Sequence, residues 1–375
     1  MSLIHAGAAV IDGQVCRPGW VQTAGATISA CGAGRPAQPP DVDFPDALLV
    51  PGFVDMHVHG GGGASVTDGD IGRAASFHAR HGTTTMLASL VTAAPAALLD
   101  AVTRAAEATR SGAVAGIHLE GPWLSRARCG AHDPTQMRAP DPAEIEAVLA
   151  AADGTIRMVT LAPELPGADR AIRRLLDANV VVAVGHSDAT YEQTRHAVEL
   201  GATVGTHLFN AMPPLDHRAP GPALALLADP RVTVELIADG VHVHPAVVRA
   251  VIAAAGPDRV ALITDAMAAA GYGDGAYWLG SVPIDVDSGV ARVRGTSTIA
   301  GSTATMDELF RSAAGPDPDD DALAAAVQMT SATPARALGL SGIGSLRAGL
   351  DADLVVLERD LRVAAVMAHG AWIDF

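Results

Sequence analysis

Between about residue 50 and residue 265 the chain alternates apolar runs of strand length with Ala-rich segments of helical composition. The runs are LLVPGFVDMHVH, TTTMLASLV, VAGIHLEGPW, RMVTLAPE, VVVAVGHS, ATVGTHLFNA, VTVELIADGVH and VALITDA. Strands separated by helices imply parallel βαβ units, and eight of them suit a closed barrel better than an open sheet. The pattern changes at both ends. Residues 1–50 and the last stretch, SLRAGLDADLVVLERDLRVAAVMAHGAWI, read as short strands with turns, Asp12-Gly13 marking a hairpin. The expected fold is therefore α/β: a (β/α)8 TIM-like barrel over residues 51–335, with a small β-sandwich domain formed by both termini, residues 1–50 and 336–375. Pro318–Asp321 (PDDD) reads as an acidic, solvated loop.

Composition narrows the chemistry. At 375 residues the chain exceeds what one core usually organises, consistent with one large domain and a smaller one. Hydrophobic residues make up 49% and aromatics only 3%, so Ala, Val and Leu supply the core, as suits close helix-on-sheet packing. A formal charge of -16 repels phosphate backbones and anionic lipid, so neither nucleic acid nor membrane is an expected partner. All 25 basic residues are Arg. The absence of Lys excludes a Schiff base, a Walker A lysine and a carboxylated lysine bridging two metals. The three cysteines, Cys16, Cys31 and Cys129, have no zinc-ribbon spacing, and the first residues lack the pattern of a secretion signal. A cytoplasmic, thiol-reduced protein is expected.

Active sites of such barrels lie at the C-terminal ends of the strands, which is where this chain places its polar residues. The first run ends Asp55-Met56-His57-Val58-His59, and a period of two puts Asp55, His57 and His59 on one face. The third ends in His118-Leu119-Glu120, the fifth in His186, the sixth in His207 and the eighth in Asp265. A single histidine at a strand end is ordinarily a capped or solvated residue. Five with two acids at the same end of successive strands point to a metal centre. Imidazoles with carboxylates suit zinc or iron and disfavour calcium.

At these residues the chain resembles a known family. PGFVDMHVHG is similar to the first-strand motif of the amidohydrolase superfamily. HLEGP (118–122), GAHDP (130–134), GHSDA (185–189), THLFNAMPPL (206–215), ADGVHV (238–243), TDAM (264–267) and AGSTATM (300–306) follow in the order of its N-acetylglucosamine-6-phosphate deacetylases. The resemblance covers nearly the whole chain. It implies that Glu120, His186 and His207 bind a divalent metal, that His57 and His59 complete a second position, and that Glu120 bridges the two, so one or two ions per subunit are expected. It further implies Asp265 as general base and then acid, and His132 as donor to the acetyl oxygen. Ala131, His132, Asn210, Ala211, Arg218, His242, Ile299, Ala300 and Gly301 correspond to substrate contacts, Arg218 gripping phosphate. His242 corresponds to a residue reaching phosphate from the neighbouring subunit of a homodimer.

The implied reaction is hydrolysis of N-acetylglucosamine 6-phosphate to glucosamine 6-phosphate and acetate, in amino-sugar metabolism. Two other readings stand beside it: the same scaffold acting on another N-acyl or cyclic amide, and a non-catalytic barrel used as a binding scaffold. The family more often carries a basic residue where this chain has Cys129, which bears on specificity.

Overall fold

The computed structural model describes residues Met1–Asp374. Eight strands form one sheet in chain order: β1 (Phe53–Asp55), β2 (Thr83–Val91), β3 (Gly116–Glu120), β4 (Ile156–Leu161), β5 (Val181–Val184), β6 (Val204–Gly205), β7 (Thr233–Leu236) and β8 (Val260–Leu262). Neighbours from β2 to β8 pair in parallel. Just beyond β1 and β8 the main chain closes the ring. Val58 bridges Ala266 in parallel, the Asp265 N–H donates to the His57 carbonyl at 2.9 Å, and the His59 N–H donates to Ala266 at 2.8 Å. The molecule thus contains the expected (β/α)8 barrel.

Helices alternate with these strands: α1 (Ile71–Arg80), α2 (Pro95–Arg110), α3 (Pro142–Ala152), α4 (Ala168–Asp177), α5 (Tyr191–Leu200), α6 (Gly221–Ala228), α7 (Pro245–Ala255) and α8 (Met306–Ala314). Local chemistry sets their starts. Asp141 accepts from the amides of Ala143 and Glu144 ahead of Pro142 in α3, and Thr190 with Gln193 forms a capping box on α5. In α4 the stripe Ala168, Ala171, Ile172 and Leu175 is buried while the intervening arginines stay in solvent. Every residue of β3 is buried, and each apolar side chain there, such as Ile117 or Leu119, contributes roughly 1.5–3 kcal/mol.

Two features depart from the sequence pattern. Between β8 and α8 the chain makes an antiparallel three-stranded sheet, Gly275–Leu279, Val282–Asp287 and Val290–Val293, over a core that includes Met267, Ile284 and Ala300. The segment read as an acidic solvated loop is instead a helix start. Asp319 caps α9 (Asp320–Val327), accepting from the Ala322 amide at 2.8 Å, and Asp320 pairs with Arg17 at 2.7 Å. Acidic side chains are favourable there because the first turn exposes amide N–H groups and the positive end of the helix dipole.

The termini build the small β domain as one eight-stranded sheet. Ser2–Ile11 pairs with Gln14–Cys16 across the Asp12-Gly13 hairpin, whose two residues have φ of 48° and 79°. Ile4, Val21, Ile28, Leu49, Leu354 and Val356 form its core. The compact unit built on this sheet takes in more than residues 1–50 and 336–375. It includes Ser76–Thr85 and the chain from Thr305 onward, since Phe310 of α8 stacks on Phe53 at 5.5 Å. The other unit, Met56–Ala75 and Met86–Ala304, carries every residue of the site described next. Among the described residues no helix is long and apolar enough to cross a membrane.

Candidate metal centre

The strand ends deliver the polar side chains to one place through left-handed backbone. His186, His207 and Asp265 have φ of 47°, 26° and 48°, and Phe209 and Ala211 in the turn after β6 share this conformation. Left-handed backbone is unfavourable for residues with a Cβ, and such strain collects where a site holds it in place. Asp265 is pinned on both sides: its amide donates to His57, and its carbonyl accepts from Ser302 at 2.7 Å. Gly301 passes so close that a Cβ there would lie 2.9 Å from the Asp265 carbonyl oxygen.

Two groups of donor atoms result, His57–His59–Asp265 and Glu120–His186–His207, the atoms within each lying inside 4.8 Å of one another. Glu120 serves both. Its Oε1 lies 2.9 Å from Nε2 of His186 and of His207, and its Oε2 lies 3.1 Å from Nε2 of His59 and 3.5 Å from that of His57. Asp265 Oδ1 sits 3.2 Å from His59 Nε2 and 3.4 Å from His57 Nε2.

Whether these groups suit a cation can be read from the rings themselves. His59 Nδ1 donates to the Ser89 carbonyl at 3.1 Å, His186 Nδ1 to the Arg128 carbonyl at 2.9 Å, and His57 Nδ1 to the Glu235 carboxylate at 3.1 Å. In the neutral ring a proton on Nδ1 leaves Nε2 as a bare acceptor. Yet Nε2 of His57 faces that of His59 at 3.0 Å, and Nε2 of His186 faces that of His207 at 3.0 Å. At His57 and His59 two lone pairs face each other and the carboxylates, and at the other group His186 aims its lone pair at Glu120 Oε1. Such contacts repel unless a cation sits between them, so the donor set fits a divalent metal at each group.

The electrostatics agree. Burial disfavours charge on His57, but the carboxylates of Glu120, Asp265 and Glu235 outweigh it and hold its pKa well above the usual imidazole range. His59, equally buried, is raised to about 9 by Asp265 and Glu120. Burial also favours the neutral acids, yet His57 and His132 hold Glu120, and His57 and His59 hold Asp265, far below ordinary carboxylate values. The pocket is a field that demands positive charge. His118 stands apart: its ring nitrogens are taken by the Ser89 and Thr160 hydroxyls, and burial together with His57 lowers its pKa.

Above the metal groups lies a cleft of about 260 Å³, at the small end of ligand pockets and matched to a single small ligand. His132, Ala131, Asn210, Ala211, Ile299 and Gly301 line it as expected. Three expected contacts are placed differently from these. Ala300 turns into the apolar core beside Met267 and Ile284, because the strand-like alternation of this loop sends it inward. Arg218 is exposed on its loop and lies outside this chain's cleft. His242 lines this chain's cleft, its Nδ1 fixed by Asp239 at 2.7 Å.

Other residues escaped the sequence reading. Thr92, whose amide donates to His132 Nδ1 at 3.2 Å, and Ser89 lie inside or just past an apolar run and carry no motif. Leu279, Ser297 and Thr298 reach the cleft from the unanticipated three-stranded sheet and its following loop, whose signal was the alternation and turn of IDVDSG. Glu235 had a visible mark, one charge inside an otherwise apolar strand.

Comparison with known proteins bears on this geometry. The chain is similar to a mutant N-acetyl-D-glucosamine-6-phosphate deacetylase from Mycobacterium smegmatis, solved in complex with N-acetyl-D-glucosamine-6-phosphate: 54% identity, TM-score 0.98, 100% of this chain and 99% of that one. It is 40% identical to N-acetylgalactosamine-6-phosphate deacetylase of Escherichia coli O157:H7, covering 88% of each chain. To N-acetylglucosamine-6-phosphate deacetylase of Bacillus subtilis it is 34% identical over 97% of this chain and 94% of the relative. With residues 48–373 matching the family model and two metal-ligand groups at the strand ends of a closed barrel, the chain belongs to the amidohydrolase family.

Proposed function

We infer that this chain hydrolyses the acetamide of N-acetyl-D-glucosamine 6-phosphate to D-glucosamine 6-phosphate and acetate with a divalent metal, a reaction of amino-sugar recycling. One observation carries the reading: a deacetylase bound to that phosphosugar shares this backbone over its whole length at 54% identity. The donor set supports Glu120, His186 and His207 as ligands of one ion, His57 and His59 as ligands of a second, and Glu120 as the bridge. Zinc or iron(II) suits imidazole with carboxylate. Bound there, the metal supplies Lewis acidity, polarising the amide carbonyl and acidifying water.

The chain's own residues do the rest. Asp265, held ionised, takes a proton from the attacking water at its carboxylate and passes it to the departing amine nitrogen. His132 accepts the Thr92 amide at Nδ1, so its neutral ring carries the proton on Nε2. Burial first, then His186, lowers its pKa against the pull of Glu120, which keeps that ring neutral. Its Nε2–H rests on Glu120 Oε2 at 3.0 Å and is the donor available to the acetyl oxygen as charge develops. His242 gives Nδ1–H to Asp239, leaving Nε2 to face an anionic group, and Asp239 and Asp265 raise its pKa against burial. Arg218 lies outside this cleft, so its role as phosphate grip requires a second copy of the chain, and the reading includes a homodimer. The three unpaired cysteines support a reducing, cytoplasmic setting.

The test is acetate release from N-acetylglucosamine with and without its 6-phosphate, before and after chelation. Equal kcat/KM on both sugars, or chelation-resistant turnover, overturns the reading. The Escherichia coli relative favours a second substrate, the galactosamine epimer. Assaying both 6-phosphates side by side decides between them.

A further inference from the structure

We propose that Glu235 is the positioning residue that sets one ligand from each metal group, His57 and His207; the inference rests on the metal-dependent reading above. Glu235 sits in β7 with no exposure, between the buried Val234 and Leu236. A carboxylate buried in an apolar strand is costly unless its oxygens are used. One is used twice. Oε2 accepts from His57 Nδ1 at 3.1 Å and from the backbone N–H of His207 at 3.2 Å, while Oε1 makes no hydrogen bond with protein among the described residues.

These two bonds govern different things. On His57 the bond fixes the tautomer, keeping the proton on Nδ1 so that Nε2 is a lone pair directed at His59 and Glu120. His59 and His186 have the same requirement but meet it with main-chain carbonyls of Ser89 and Arg128, which no side-chain substitution removes. Of these three rings, only His57 has its tautomer set by a replaceable side chain. His207 differs again. Its Nδ1 has no hydrogen-bond partner, so its ring is aimed by its backbone, which stands at φ 26°. Glu235 holds that turn twice: the side chain takes the His207 amide, and the Glu235 carbonyl takes the next amide, Leu208, at 2.9 Å. One residue of β7 therefore ties the end of β1 to the turn after β6.

The experiment uses full-length protein loaded with zinc and dialysed against a graded series of chelator strengths, with zinc per chain measured at each step. His57→Ala identifies the zinc that depends on that ring. Glu235→Gln keeps the shape and an accepting oxygen without the charge, and Glu235→Leu removes the acceptor. The expected result is that the His57-dependent zinc is lost at about 10- to 100-fold weaker chelation in Glu235→Leu, with Glu235→Gln between it and wild type. Imidazole 15N spectra of the zinc-loaded proteins should show His57 with its proton on Nδ1 in wild type and in Glu235→Gln, and a His57 proton on Nε2 in wild type overturns the inference. Should Glu235→Leu fail to fold, the Gln variant decides. Retention curves that coincide with wild type overturn the inference while leaving the metal-dependent reading intact. A wild-type protein that holds no zinc under any condition, and gains no activity from other divalent ions, overturns both.

Discussion

Replacing Asp265 by Asn tests the proton path with little disturbance elsewhere. The backbone at this position is left-handed, φ 48°, and Asn tolerates that conformation better than most residues, whereas Ala would add strain. The flanking main-chain bonds to His57 and Ser302 do not involve the side chain and survive. What is lost is the carboxylate 3.2 Å from His59 Nε2 and with it the group able to take and return a proton. Acid–base groups of this kind contribute about 10²–10⁴ in rate, or about 2.7–5.5 kcal/mol of barrier. The assay is acetate release under saturating substrate, paired with elemental analysis of the same sample. The expected outcome is a fall in kcat of about 10²–10⁴ with KM changed by less than tenfold and metal retained by the Glu120–His186–His207 group. A kcat within tenfold of wild type at unchanged metal content would refute the assignment.

Further outcomes follow from other parts of the molecule. Gly301→Ala places a Cβ 2.9 Å from the Asp265 carbonyl at φ 64°, so it should lower stability by about 1–3 kcal/mol and reduce kcat; Gly295→Ala, at φ 75° with nothing within 4 Å, should show strain alone and normal turnover. Arg218→Ala should raise KM for the 6-phosphate substrate about tenfold or more and leave kcat on the unphosphorylated sugar unchanged, read from parallel kinetics. Burial raises the Asp307 carboxyl, but hydrogen bonds from His81, Thr305 and Arg311 outweigh it and bring the pKa to about 2. A depressed acid stabilises above its unfolded pKa near 3.9 and loses that contribution as pH falls through its folded value. Asp307→Asn should therefore cost about 2 kcal/mol at pH 5–7, with the difference from wild type closing between about pH 4 and pH 2 in thermal melts.

Much of the site was legible because a barrel strand has a simple grammar: an apolar run, then a polar residue at its C-terminal end. His186, His207 and Asp265 follow β5, β6 and β8 by that rule. What the runs could not show was depth and partnership. Ser89 and Thr92 look like ordinary strand and loop residues, and only the paired strands reveal that one carries the His59 ring and the other the His132 ring. Glu235 breaks its apolar run, but the reason lies in a histidine far away in sequence. The Asp319–Asp321 run was misread because charge density was weighed and capping was not; the N-cap bond explains the acids better than solvation does.

The main-chain seam between His57 and Asp265 carries a consequence for how activity arises during folding. Those two residues lie roughly 200 positions apart, so their contact is among the costliest loop closures the barrel makes. It is also the contact that brings Asp265 against the first-strand imidazoles. Strand pairing can proceed from β1 to β8 as a curved, open ribbon with most of its hydrogen bonds in place and Glu120 already among the histidines, but without Asp265 beside His57 and His59. Turnover, unlike helix content or burial of aliphatic groups, should thus return only with the last step of ring formation, making it a reporter of closure in refolding time courses.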